Sequence, residues 1–163
     1  MGENRFFFEF NNEYDLERVL EHEPWTYDKH LVIMERVVDN VPISAIPFRF
    51  VSFWIQIQNL PVHCMANEVC DSIGSSIGSL LQTTETEEES NRGSYLRVRV
   101  WVDISKPFSR VRKICSKNSV IRWAALKYKC LLNFCYWCGL VSHDDRDCEK
   151  WLGSKGTLRK EDQ

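Results

Sequence analysis

No stretch of this chain approaches the roughly 18–20 consecutive apolar residues that a helix needs to cross a bilayer, which argues against a helical membrane span. The opening Met1-Gly2-Glu3-Asn4-Arg5 lacks a signal-peptide pattern, and Phe6 stands where a myristoylation signal needs Ser or Thr. The expected compartment is therefore a reducing one, nuclear or cytoplasmic, where clustered cysteines mean metal rather than disulfides. Also missing are a phosphate-cradling glycine loop, a paired-carboxylate motif and a metal-dependent nuclease signature. His22, His30 and His63 have no second ligand at helical spacing. The neighbours His63 and Cys64 leave a thiol nucleophile open, because adjacency in sequence says nothing of catalytic geometry. Taken together, these absences predict a protein that is not an enzyme.

Basic residues are scarce early and crowded later. Residues 1–90 hold 5 Lys and Arg against 16 Asp and Glu, a net of −11. Residues 91–130 hold 11 against the single Asp103, a net of +10, and residues 131–163 hold 5 against 6. The overall charge of −2 conceals this segregation. A field as dense as that of the middle segment attracts polyanions and releases their condensed counterions. The same segment can instead face the acidic half within one fold, and the two readings are compatible.

Hydrophobic content of 44%, with six Trp and nine Phe in 163 residues, supplies one packed domain and a small appendage. Phe6–Phe10 has the length and composition of a strand. Asn11-Asn12-Glu13 offers a helix start, with Tyr14, Leu16, Val19 and Leu20 at helical spacing up to Pro24. His30–Val38 reads as a strand buried on both faces, and Asp39–Arg49, with Pro42 and Pro47, as a connector. Phe50–Leu60 alternates, with Phe53, Ile55 and Ile57 on one face, until Pro61 stops it.

His63–Ile77 reads as an amphipathic helix carrying Met65, Val69, Ile73 and Ile77 on one side, its last turn interrupted by Gly74 and Gly78. Gln82–Asn91 reads as an exposed edge strand running into a loop. Tyr95–Ile104, Phe108–Ser116 and Val120–Lys129 complete a meander. The expected fold is α+β, ferredoxin-like or RRM-like: a mostly antiparallel sheet with two helices over residues 4–130, then a small metal-binding unit at 131–150 and a polar tail at 151–163.

That metal-binding unit is the densest signal. Cys135-Tyr136-Trp137-Cys138-Gly139-Leu140-Val141-Ser142-His143-Asp144-Asp145-Arg146-Asp147-Cys148 spells C-x2-C-x4-H-x4-C, three thiols and an imidazole within 14 residues. Zn²⁺ takes such sulfur and nitrogen donors and closes a tetrahedral structural site with four of them. Cys135, Cys138, His143 and Cys148 are thus the expected ligands. The close pair grips from a tight turn, for which Gly139 supplies backbone freedom. Cys130 lies near enough to compete, but Cys135 is better spaced to Cys138. Cys64, Cys70, Cys115 and Cys130 read as small hydrophobes.

The spacing resembles the zinc knuckle of retroviral nucleocapsids and of many retroelement-derived proteins. Its lead-in, Lys127 through Cys135, is similar to that of a plant group in which an α+β domain of unknown function precedes a CCHC-type knuckle in proteins of non-LTR (LINE-type) retrotransposon origin. Arg5–Phe10, Phe53–Pro61 and Tyr95–Pro107 resemble segments of that upstream domain. Family members carry a further strand and helix before the Phe6–Phe8 segment, so the resemblance implies an N-terminally truncated copy. It also implies nucleic acid as partner, with Tyr136 and Trp137 stacking on unpaired bases. Two departures stand out. Ser142 replaces the usual Gly before the His, and Asp144, Asp145 and Asp147 bring charge of the wrong sign for phosphate.

The strand Tyr95–Ile104 offers a second candidate surface. If Leu96, Val98, Val100 and Val102 face the helices, then Tyr95, Arg97, Arg99 and Trp101 form an open row whose rings and guanidinium planes suit single-stranded RNA or DNA. Lys106, Arg110, Arg112, Lys113, Lys127 and Lys129 would add attraction for phosphate. The same row equally suits a half-buried strand, with Arg99 paired to the Glu85–Glu89 run. A protein-interaction module with a purely structural zinc is the competing function.

Overall fold

The computed structural model describes residues 5–37, 41–83, 95–115 and 121–154. Its elements begin with α1 (Glu13–Glu21), β1 (Trp25–Tyr27), β2 (His30–Val32) and β3 (Phe50–Gln58). They continue with α2 (Asn67–Ser75), β4 (Ser79–Thr83), β5 (Tyr95–Asp103), β6 (Val111–Cys115), β7 (Ile121–Tyr128) and α3 (Glu149–Gly153). The class is α+β, as expected. Five strands pair in the order β4-β5-β3-β7-β6, every neighbouring pair antiparallel.

Alternation along β3 decides the layers. Val51, Phe53, Ile55 and Ile57 are fully buried, and across the ladder they sit opposite Val102, Val100, Val98 and Leu96 of β5. On the other flank, Ile55 and Ile57 face Tyr128 and Leu126 of β7. α2 covers this apolar face with Cys70 and Ile73, while Met65, Val69 and Ile77 pack at its margin. The two glycines that interrupt the helical pattern have a packing role. A Cβ on Gly74 would lie 2.9 Å from Val98 Cγ2, and one on Gly78 only 2.2 Å from the Trp101 carbonyl oxygen. Their absence of a side chain lets α2 and the turn into β4 lie directly on β5. Because β3 and β4 run parallel with β5 between them, β3-α2-β4 is one split β-α-β unit of the ferredoxin type, present once among the described residues.

The N-terminal third departs furthest from expectation. α1 forms as read: the Asn12 side chain accepts from the Asp15 amide at 2.8 Å, and Glu13 and Asp15 lie in the first turn, where carboxylates complement the helix dipole. Phe6–Glu9, however, is exposed and carries no regular structure. The strand expected over His30–Val38 is only His30–Val32, half-buried rather than covered on both faces, and it pairs with Trp25–Tyr27 in a separate hairpin. Asp28 and Lys29, at φ 46° and 66°, make the two-residue turn. Positive φ at both positions is the type I′ signature, normally written with Asn-Gly or Asp-Gly, so this turn is hard to recognise in sequence.

β4 is an edge strand as expected, but it spans Ser79–Thr83 with a bulge between Leu80 and Gln82, and residues 84–94 lie outside the described ones. The long helix read over His63–Ile77 is a 3-10 turn at Val62–Cys64 followed by α2.

Candidate metal centre

The segment after β7 returns to the core face of the sheet. Leu131, Phe134 and Val141 pack against the core, and the Phe108 amide donates to the Gly139 carbonyl at 2.8 Å. Beneath them Phe108, Tyr128 and Phe53 form an edge-on aromatic trio, with centroids 4.9 Å apart for Phe108–Tyr128 and 5.5 Å for Phe53–Phe108. The Tyr128 hydroxyl donates to the Ser109 carbonyl at 3.0 Å, and burial pushes its pKa up to about 12.

On this platform the backbone makes a tight loop. The Gly139 amide donates to the Cys135 carbonyl and the Cys135 amide to the Leu140 carbonyl, both at 2.8 Å. Gly139 sits at φ 80°, and a Cβ there would come within 3.1 Å of Pro107 Cβ. The loop therefore needs glycine for its backbone and for its close approach to the sheet. It brings together all four expected ligands: the donor atoms of Cys135, Cys138, His143 and Cys148 lie within 4.8 Å of one another. His143 Nε2 is 3.2 Å from Cys138 Sγ. Cys130 is exposed, and it stands apart from the group at φ 61°.

The donor set fits zinc. Three thiols and an imidazole nitrogen converge without a carboxylate, and Cys135 and Cys148 are buried. Burial pushes the Cys135 thiol up. Burial also opposes ionisation of Cys148, but hydrogen bonding to the Trp151 amide, His143, Cys135 and the Lys150 amide outweighs it and draws that thiol down. A divalent ion displaces the protons that remain on such thiols. Bound zinc would act as a structural clasp, with all four positions held by protein.

Residues outside the ligand set complete the arrangement. Ser142, which stands where the resemblance expects Gly, places Oγ 3.0 Å from His143 Nδ1. A proton on Nδ1 donated to Ser142 leaves Nε2 aimed at the thiols, the usual second contact of a metal-binding imidazole. Two of the anomalous aspartates are occupied with backbone: Asp145 Oδ1 accepts from the Tyr136 amide and Asp144 Oδ1 from the Arg146 amide, both at 2.6 Å. Trp137 stacks on Trp151 of α3, centroids 4.4 Å apart at 19°. Trp151 was assigned by sequence to the tail, and its spacing from Trp137 carried no signal. Tyr136 is exposed and leans on Phe134 at 4.8 Å.

The opposite face of the sheet carries the other candidates. Tyr95, Arg97, Arg99 and Trp101 do share the face turned away from the core. Arg97 lies over the Tyr95 ring at 5.5 Å, and Trp101 is 42% exposed. Arg99 is engaged elsewhere, since it donates to the Glu21 carbonyl and to Ser52 Oγ. Ser52 in turn donates to buried Glu23, whose pKa burial raises against the pull of Ser52 and Arg99. The N-terminal third is thus anchored by Arg99, while the Glu85–Glu89 run read as its partner lies outside the described residues.

Lys113 and Lys127 are exposed on this face, next to Trp123, which is 58% exposed and pairs across the ladder with Lys113. Lys129, also exposed, follows at the end of β7. Arg110 sits over the Tyr136 ring at 5.8 Å, Arg112 faces the end of α2, and Lys106 approaches Asp103 at 3.5 Å. Trp123 was missed as a surface residue. Alternation alone put it with Ile121 and Ala125, but only the pairing of β7 with β3 says which side is open.

Residues 1–43 match the family model described as Domain of unknown function (DUF4283), and residues 102–150 match that described as Zinc knuckle. The second match begins before β6, in keeping with the bond from Phe108 to Gly139. The chain is also 22% identical over 134 residues to Uncharacterized protein At4g02000 of Arabidopsis thaliana, an alignment covering 82% of this chain and 42% of that one. This chain therefore spans about two fifths of the length of that curated relative. No solved structure matches it. The chain carries a DUF4283 segment at its start and a CCHC zinc knuckle near its end.

Proposed function

We propose that this chain is a non-catalytic, intracellular protein of retroelement origin that binds single-stranded RNA or DNA across its open sheet face, with zinc closing the knuckle that packs on the opposite one. One observation carries the reading. What the N-terminal third leaves exposed on this face includes the indoles of Trp101 and Trp123 and the cations of Lys113 and Lys127, the mixture of stacking surface and positive charge that unpaired strands use. The knuckle supports it further, since its family is commonly associated with nucleic acid, and two of its three aspartates, Asp144 and Asp145, have a structural use as acceptors for backbone amides.

The test is anisotropy of labelled single-stranded RNA, single-stranded DNA and duplex against salt. Binding is expected to be tightest for single strands. If about six phosphates are contacted, the log–log slope on salt is about −4. A slope near zero, or no binding at low salt, overturns the reading. It would favour a protein contact instead, for which the exposed Val111, Ile121 and Trp123 on the edge hairpin supply the surface.

A further inference from the structure

The open face of the sheet is covered at one place. Ser52 lies between the core residues Val51 and Phe53, so alternation turns it away from the core, yet it is only 4% exposed. Glu23 of the N-terminal third covers it: the Ser52 hydroxyl and amide donate to Glu23 Oε2 at 3.1 and 3.3 Å, and Glu23 is itself buried. Arg99 joins from β5, giving Nη2 to Ser52 Oγ at 3.0 Å and to the Glu21 carbonyl. Along β5, Arg99 stands between Trp101 and Arg97, and Arg97 faces Gln56, whose partner on β7 is Lys127. A nucleic-acid strand laid from Trp101 towards Lys127 and Trp123 therefore passes over Arg99 and meets the N-terminal third.

That unit is held lightly and is acidic. α1 buries no residue, and Leu31 and Ile33, which pack on the core cluster, are only partly buried. Residues 5–37 hold 8 Asp and Glu against 4 Lys and Arg, a net of −4. The anchor is also incomplete, because Arg99 Nε is buried without a hydrogen-bond partner among the described residues, which is a costly state. The oxygens that now accept from Arg99 and Ser52 occupy the place of phosphate oxygens, which suit a guanidinium at least as well.

We propose that the N-terminal third is an acidic plug on the strand-binding face, displaced by a single-stranded nucleic acid on its way to Arg99. The inference rests on the open-face reading and adds the regulation of that surface. A plug seated nine-tenths of the time would lower the apparent affinity about tenfold.

Anisotropy of labelled single-stranded RNA against the full chain, with amide exchange in α1, tests it. Leu31→Asp removes an apolar hold and adds negative charge. Attraction alone predicts weaker binding by this variant, whereas release of the plug should tighten it at least about fivefold. The log–log slope on salt should steepen by about 0.7, the share of one further phosphate, and adding Arg99→Gln should remove that gain. Glu23→Ala should tighten binding more than Glu17→Ala, which makes the same charge change at an exposed site on α1. In the wild type, saturating RNA should lower the protection of the α1 amides.

Zinc content checks that each variant keeps its knuckle, and if Leu31→Asp loses zinc, the pair Glu23→Ala and Glu17→Ala decides. RNA bound by the wild type with α1 protection unchanged overturns the plug and leaves the open-face reading standing. Wild-type or weaker binding by Leu31→Asp with its zinc retained does the same, as does Glu23→Ala binding no tighter than Glu17→Ala. No binding by the wild type or any variant overturns both.

Discussion

The aromatic run at Phe6–Phe8 and the aromatic group of Phe108, Tyr128 and Phe134 are equally apolar, and only the later one is buried. Phe6, Phe7 and Phe8 stand 80, 66 and 67% exposed, and α1 buries no residue. Phe108 and Tyr128 lie in the core, and Phe134 packs on it. The difference is one of partners rather than hydrophobicity. The late segment is fastened by a strand pair, a backbone bond at Gly139 and a set of four metal donors. The early segment meets the sheet through Leu31, Ile33 and one polar junction at Glu23, Ser52 and Arg99. Apolar content fills a core only where backbone pairing has first built a surface for it.

The largest effect expected is loss of the metal. Cys138→Ser should carry no zinc by elemental analysis, and because the knuckle packs on the sheet, its melting temperature should fall as well. Zinc retained in full by the variant would refute the ligand set. Next comes Phe108→Ala, which removes the centre of the aromatic trio and should cost about 3–5 kcal/mol in denaturant unfolding. A cost below about 1 kcal/mol would mean that the knuckle is not seated on that trio.

Acid should separate the two regions in opposite senses. Protonating thiolates releases zinc, so the knuckle loosens as pH falls. Burial holds the Glu23 pKa above its ordinary value, with Ser52 and Arg99 pulling the other way. A raised carboxyl stabilises the folded state most when protonated. Its contribution is complete below the unfolded value near 4.5 and is lost as pH rises through the folded one. Protection of the α1 amides, taken relative to their intrinsic exchange at each pH, should therefore rise as pH falls towards 4.5, and Glu23→Gln should abolish that trend. Unchanged protection in the wild type would show that the junction does not govern docking. Smallest of all, Phe7→Ser should shift stability by less than about 0.5 kcal/mol, since the ring has no packing to lose. A larger loss would place that segment against the sheet in solution.

Much of this was legible in sequence. Strict alternation identified β3 and β5 and the side each turns to the core, because a period of two leaves no ambiguity once one face is apolar. The ligand spacing named the four donors that the structure brings together, since donors so close in the chain need no long-range folding to meet. What sequence hid was everything set by distant partners. The run at Phe6–Phe10 has strand composition and pairs with no strand among the described residues. Arg99 has the look of a surface cation and serves as an anchor because Ser52 and Glu21 arrive from far away. Trp123 and Trp151 took their roles from neighbours that no local pattern names.

The central position of β3 has a consequence for how the chain is made. Its register partners are Asp103 to Tyr95 on one side and Tyr128 to Ala125 on the other, so the most apolar strand is synthesised long before either neighbour. At roughly 5–20 residues per second, the interval from Gln58 to Tyr128 lasts about 4–14 s on the ribosome. Until β5 follows at Tyr95–Asp103, Val51, Phe53, Ile55 and Ile57 have only α2 to lean on. After that, β3 keeps one edge unpaired until the hairpin of β6 and β7 closes the sheet, so for seconds the growing polypeptide exposes the edge of its most apolar strand.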